Sequence, residues 1–294
     1  MKKKIISTTA ILITTLMLPL LALAENDPRD SIAAPGGTNL FLFYYRSYNG
    51  NDFYKNDSKL DDNSDFNLQL AIARYAHFVS LGDWTWSYDI LQPFGRMDFE
   101  SDPLGIDLTT NGLGDTNFAT HINTPFLIQT DKMKYGMSAG FYLTTPTGEY
   151  DSDKAANLGA NRWTYKFEVT PVIWQVNHMT LEVSGDVKLY TDNSDYGSGS
   201  LTEETDPLFG LQTHLSYDIT DSFWVGLSHY FYSGGENEID GVASDDRTRT
   251  QSLRFTSCFK VSPQVILMLQ YDSEIEHENG VKQDYIGTRI AYVW

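Results

Sequence analysis

The chain carries a single cysteine, Cys258, so it has neither an internal disulfide nor a cysteine cluster able to hold a metal. Beyond residue 24 it has no apolar run of about 18 residues, the length a membrane helix requires. Basic residues are scarce: 21 Lys plus Arg stand against 39 Asp plus Glu, a formal net charge of -18. That balance argues against a nucleic-acid partner, because binding there depends on neutralising phosphates. Aromatic residues, by contrast, make up 14 % of the chain, with 18 Tyr, 16 Phe and 6 Trp. A disordered acidic chain would be poor in them.

The first 24 residues read as a secretory signal peptide. Lys2, Lys3 and Lys4 give a basic start, residues 5–21 are apolar, and Ala22-Leu23-Ala24 places small residues before Glu25. No cysteine stands at the cleavage site, so lipoprotein anchoring is not indicated. The basic start and the pattern that follows suit export across a bacterial inner membrane. A second route into a membrane remains open to the exported chain. A closed β-barrel satisfies its backbone hydrogen bonds between strands, so only alternate residues need to face lipid.

Period-two alternation recurs in twelve segments: 38–47, 66–78, 84–95, 113–124, 134–145, 162–175, 179–190, 206–218, 222–232, 249–260, 263–272 and 284–294. In one, Leu181, Val183, Val187 and Leu189 share a face opposite Glu182, Ser184, Asp186 and Lys188. From the second segment onward, short links such as 80–83, 176–178, 219–221 and 261–262 alternate with long ones at 96–112, 146–161, 191–205, 233–248 and 273–283. The first long link is 48–65. This phase predicts an all-β fold: a twelve-stranded antiparallel transmembrane barrel with short periplasmic turns and long external loops. The barrel would occupy residues 38–294. Residues 25–37 would form a periplasmic tail or a segment inserted in the lumen, and an even strand count puts both termini in the periplasm. The expected location is the bacterial outer membrane, with lipids and lipopolysaccharide as surroundings and a monomer as the expected state. Twelve tilted strands imply a backbone radius of about 12 Å.

Aromatics concentrate near the proposed strand ends: Tyr44, Tyr45, Trp84, Trp86, Trp163, Tyr165, Trp174, Tyr217, Trp224, Tyr230, Tyr271, Tyr285, Tyr292 and Trp294. Their rings suit the lipid boundary. Trp294 closes an alternating segment, an ending suited to recognition by the outer-membrane assembly machinery. Opposing charges to their apolar neighbours gives the candidate lumen set: Lys166, Glu168, Glu182, Asp186, Lys188, Arg254, Lys260 and Arg289. Phe167, Val183, Val187, Phe255, Phe259 and Ile290 should meet lipid, where a charge would be costly. These mixed charges could orient a passing solute or pair with one another as inert wall.

The external links are acidic, with Asp52, Asp57, Asp61 and Asp62 in the first and Glu236, Glu238, Asp240, Asp245 and Asp246 in the fifth. Such a solvated surface repels anions and suits divalent cations bridging to anionic headgroups. No loop has the spacing of an EF-hand, and no cofactor is indicated. Catalytic signals are sparse. His214 and His229 fall on neighbouring segments, with Ser216 and Ser228 nearby, which leaves a barrel-wall hydrolase conceivable; no local motif converges a nucleophile, base and orienting group. A plugged barrel that binds partners through its loops is a further alternative.

Three motifs in order carry a family resemblance. They are Asn111-Gly112-Leu113-Gly114-Asp115, then Thr145-Pro146-Thr147-Gly148-Glu149-Tyr150-Asp151, then Asn157-Leu158-Gly159-Ala160-Asn161-Arg162-Trp163. This order resembles the phenol meta-pathway degradation-like outer-membrane protein family, over roughly residues 30–294. The resemblance implies a twelve-stranded passive channel for small solutes, hydrophobic or aromatic compounds among them, with the N-terminal segment able to enter the barrel. Read from the residues alone, Gly112 and Gly114 would serve a tight turn into the fourth strand, Asp115 would hold nearby amides, and Pro146 and Gly148 would start the third external loop.

Overall fold

In the computed structural model, which describes residues 25–294, the alternating segments become long strands. The leader expected over residues 1–24 lies outside the described residues. The first half of the chain gives β1 (Asn39–Lys55), β2 (Ser58–Asp61), β3 (Asp65–Leu81), β4 (Trp84–Ser101), β5 (Ile106–Leu113), β6 (Asn117–Asn123), β7 (Ile128–Gln129), β8 (Met133–Thr144) and β9 (Thr164–Val176). The second gives β10 (Met179–Tyr190), β11 (Asn193–Tyr196), β12 (Leu201–Thr205), β13 (Leu208–Thr220), β14 (Phe223–Gly234), β15 (Asn237–Ile239), β16 (Val242–Ala243), β17 (Thr248–Lys260), β18 (Val265–His277) and β19 (Gly280–Val293).

Twelve of these positions form a closed antiparallel ring, with β5 and β6 together making one of them. Closure comes from β19 pairing with β1, from Leu40–Val293 up to Tyr54–Gly280. No backbone edge is left along this seam, which is what a strand needs in hydrocarbon. Side chains alternate as expected. On β1, Phe41, Phe43 and Tyr45 are exposed on the outer wall while Leu42, Tyr44 and Arg46 are buried inside.

The strands run further than the alternation suggested. β1 continues past residue 47 to Lys55 across a bulge between Asn49 and Asp52. The polar run Asn49-Gly50-Asn51-Asp52 reads as turn, but above the membrane both strand faces tolerate polar side chains. Most of link 96–112 is likewise strand, the paired ends of β4 and β5. The fourth and fifth long loops supply a separate outer sheet in the order β11-β12-β15-β16.

The fourth segment departs most from expectation. It begins at Ile106, and the Gly-Leu-Gly-Asp motif interrupts it between β5 and β6 instead of starting it. Pro93 on the facing strand explains the break, because it has no amide to continue the ladder. Its carbonyl accepts from Gly114 N at 3.0 Å, and Gln92 Nε2 donates to both the Pro93 and Gly114 carbonyls at 2.9 Å. Pro171 in β9 is accommodated differently. It sits where the register slips against both β8 and β10, so its missing donor falls in a bulge.

Candidate functional site

The inner wall has two unlike sides. On β9, β10, β17 and β19 it is charged: Lys166, Glu168, Glu182, Asp186, Lys188, Arg254 and Arg289 are all buried inside the ring. Lys260 shares the register of Arg254 but lies at the periplasmic end of β17, exposed. The apolar neighbours Phe167, Phe255, Phe259 and Ile290 are exposed on the outer wall. Charge beside apolar residue in the sequence thus becomes interior beside lipid face in space.

On β1, β3, β4, β5 and β19 the upper interior is apolar. Tyr48, Phe53, Phe66, Leu68, Leu70, Met97, Phe99, Ile106, Val281 and Tyr285 form one buried cluster, joined by Ala156 from the third external loop. Charge alternation missed this stripe because it carries no charge. The signal that could have found it is the unbroken apolar run Leu40 to Tyr45, and Leu68, Leu70, Ala71 and Ile72, where both faces are apolar at once.

Residues 25–34 lie within the ring, and the wall charges converge on them. Asp27 Oδ1 accepts from Arg254 Nη1 at 3.2 Å and Gln270 Nε2 at 2.7 Å, and its Oδ2 accepts from Arg289 Nη1 at 3.0 Å. Arg46 Nη2 is 3.8 Å from the same carboxylate. Asp30 takes a second bond from Arg289 at 2.8 Å, and Arg254 also contacts the Glu25 carboxylate. Glu182 accepts from the Arg29 and Ser31 amides at 2.6 and 3.3 Å, and Asn26 Nδ2 donates to Glu168 at 2.7 Å. Lys166 pairs with Glu168 at 2.7 Å. The segment supplies counter-charges to Arg289 and Arg254, the latter also paired with Asp272 on the wall at 3.0 Å, and breaking a buried pair of this kind costs about 3–5 kcal/mol. Gly37, at φ 91°, turns the chain from this segment into β1, and its amide donates to Phe78 O at 2.7 Å.

Four aromatics expected at the lipid boundary instead join this interior, one of them Trp224, which lies under the Arg29 guanidinium at 4.5 Å. Tyr44, Tyr230 and Tyr285 are buried, with the Arg254 guanidinium 4.2 Å from the Tyr230 ring and 5.2 Å from that of Tyr285. The Arg289 guanidinium lies 5.8 Å from the Tyr44 ring. A ring face is a good surface for a desolvated guanidinium, so these tyrosines follow the arginines inward. Trp84, Trp86, Trp174, Tyr217, Tyr292 and Trp294 remain on the outer wall.

The motif glycines build a seal. β5 pairs with β4 but has no strand on its other side; the third external loop lies there, with Glu149 N donating to Leu113 O at 2.8 Å. Asp115 Oδ1 accepts from Gly148 N at 2.7 Å and its Oδ2 from Ala160 N at 2.8 Å. This is the amide-holding role expected of it. A Cβ on Gly148 would stand 2.7 Å from the Gly114 carbonyl carbon, and one on Gly159 2.7 Å from that of Gly148, so three backbone segments touch.

His214 Nδ1 lies 2.9 Å from Ser228 Oγ, both buried in the lumen wall, while Ser216 accepts from Arg29. His214 Nε2 has no hydrogen-bond partner among the described residues, so no third group orients the ring as a hydrolytic relay requires. His229 bonds Gln251 instead. No group of three or more metal-ligating side chains occurs among the described residues. The acidic loops are partly turned inward: Asp61, Glu203 and Glu278 are buried in contacts between loops, and Asp246 is buried within the fifth, accepting from Asn237.

A closed ring with an apolar outer band and a charged interior defines an outer-membrane β-barrel of the channel type. The chain belongs to the family described as "Putative MetA-pathway of phenol degradation", whose model matches residues 49–290. It is similar to the crystal structure of an outer membrane channel from Pseudomonas putida F1, with 30 % identity and a TM-score of 0.87, covering 92 % of this chain and 100 % of that one. The transport unit of the autotransporter AIDA-I from Escherichia coli is 9 % identical with a TM-score of 0.53, covering 97 % of this chain and 98 % of that one, a likeness of fold alone. No curated protein sequence matches. Within this family the chain is an outer-membrane channel, placed in the bacterial outer membrane and surrounded by its lipids.

Proposed function

We propose that the protein passes small, largely apolar solutes, aromatic compounds among them, down their concentration gradient into the periplasm. One observation carries this reading: one side of the upper interior is the apolar cluster around Phe66, Leu70, Met97 and Phe99, packed and nearly inaccessible to water. A sugar or an ion gains nothing from passing such a stripe, whereas an apolar solute that packs into it gains about 25 cal/mol per Å² of apolar surface buried. The opposite wall, with Lys188 and Arg254 buried in it, is charged, so the two sides of the interior differ in what they favour. Export by a leader ending at Ala24 and recognition of Trp294 by the assembly machinery belong to this proposal.

Proteoliposome uptake tests it. An aromatic carboxylate should enter at least about threefold faster than a pentose of similar size, and Leu70→Asn should remove the difference by slowing the aromatic solute. Equal rates for both solutes in the native chain would refute the apolar preference. A chain lacking residues 25–34 should show severalfold larger single-channel conductance, since the segment occupies the ring. Conductance equal to that of the intact chain would mean that the segment is no constriction.

A further inference from the structure

We infer that the periplasmic end of the barrel holds a binding site for a small neutral hydroxyl-bearing aromatic compound, lodged between the wall and residues 31–33 of the N-terminal segment. The site goes beyond the channel reading above and does not depend on it.

The space is a cavity of about 360 Å³. Small-molecule sites run from about 300 to 1,000 Å³, so this one suits a single-ring compound and not a peptide. Thr85 and Asn123, paired between β4 and β6, line one side, and Gly136 and Ile173, paired between β8 and β9, line another. Asp83 comes from the turn between β3 and β4, and Thr124, Pro125, Phe126 and Gln129 from the link between β6 and β8. Both connections are periplasmic, so the cavity opens to that side. Ser31, Ile32 and Ala33 bound it toward the lumen, where Asn123 Nδ2 donates to Ser31 O at 2.7 Å and ties the segment to the wall.

Gly136 helps to keep the space open. A Cβ there would stand 3.5 Å from Phe126 Cδ1 and 3.6 Å from Thr124 Oγ1, ordinary contact distances, so a side chain would fit and occupy it. The lining has two chemistries. Ile32, Ala33, Pro125 and Phe126 are only half-buried, and Ile173 is buried beside them. An apolar ring covering them removes that surface from water, and Phe126 offers it an aromatic partner. Thr85, Asn123 and Gln129 present a hydroxyl and two amides to a hydroxyl on the same ring. Among the described residues of the lining Asp83 alone is charged, so a carboxylate meets repulsion there without a counter-charge. A compound touching both segment and wall binds while the segment is in the ring, and therefore holds it there.

Hydrogen exchange at residues 31–33 in nanodiscs tests the site, with 4-ethylphenol and 4-ethylbenzoate as probes. Near neutral pH the phenol is uncharged, its ordinary value being about 10, and the benzoate is ionised. The phenol should slow exchange saturably, by at least about threefold, and the benzoate should need at least about tenfold more for half of its effect. Gly136→Leu fills the cavity and should raise the half-effect concentration of the phenol at least about tenfold. Where that variant fails to fold, Ile32→Asn, outside the strand ladder, should do the same. Absence of saturable protection in the native chain, equal half-effect concentrations for the two compounds, or an unchanged value in the folded variant would overturn the inference. Each of these outcomes leaves the uptake measurements standing, whereas equal uptake of an aromatic carboxylate and a pentose would overturn the apolar preference and leave this site in place.

Discussion

At the scale of single residues, Asp115 shows how a side chain can be structural in a motif that looks functional. Its two oxygens take the amides of Gly148 and Ala160 and tie the third external loop to the unpaired side of β5. Hydrogen bonds to a carboxylate are worth about 1.5–3 kcal/mol each. Asp115→Ala is therefore expected to speed hydrogen exchange at residues 148–160 by at least tenfold while the ring itself stays protected, and unchanged exchange there would refute the latch. That Asp115 holds amides was legible in the sequence. Which amides it holds was not, because Ala160 is 45 residues away and reaches it only through the loop's return. Gly148 was legible as starting the loop, whereas the requirement at Gly148 and Gly159 is a close approach of backbones that no local pattern reveals.

At the scale of elements, the fourth and fifth long loops depart from what their composition suggests. Composition marked them as acidic and solvated, yet β12 and β15 pair from Glu203–Ile239 to Thr205–Asn237 and bury part of that acid. Burial lifts the Glu203 carboxyl above its ordinary value, and the Arg162 guanidinium 3.2 Å away offsets this only in part. A raised folded-state value means that the folded sheet binds the proton more tightly than the unfolded chain. Its stabilisation is complete below the ordinary Glu value of about 4.3 and is lost as pH rises through the raised one. Exchange at residues 201–205, corrected for intrinsic rates, should be slower at pH 5 than at pH 8, and Glu203→Gln should remove the difference. A pH-independent rate in the native chain would contradict this sign. The strand β10 (Met179–Tyr190), by comparison, has the bounds that alternation alone assigns it, because one of its faces is apolar and the other polar or charged along its length.

At the scale of the whole molecule, the outer band orients the barrel. Trp84, Trp86, Trp174 and Trp294 stand at the periplasmic ends of β4, β9 and β19, exposed to the surroundings, while Trp224 lies under the Arg29 guanidinium at 4.5 Å. Lipids brominated near the headgroup should therefore quench tryptophan fluorescence more strongly than lipids brominated at the bilayer centre. Equal quenching by both would displace the girdle from the interface.

What the sequence determined by itself is the division of side chains between lipid and interior, since alternation is a property of each strand alone and a slip of one residue would put charge into hydrocarbon. Only the closed ring decided what the interior charges do. Asp27 meets Arg289 across 262 positions of sequence, and the apolar stripe faces the charged wall, because ring closure brings together residues that no local spacing relates.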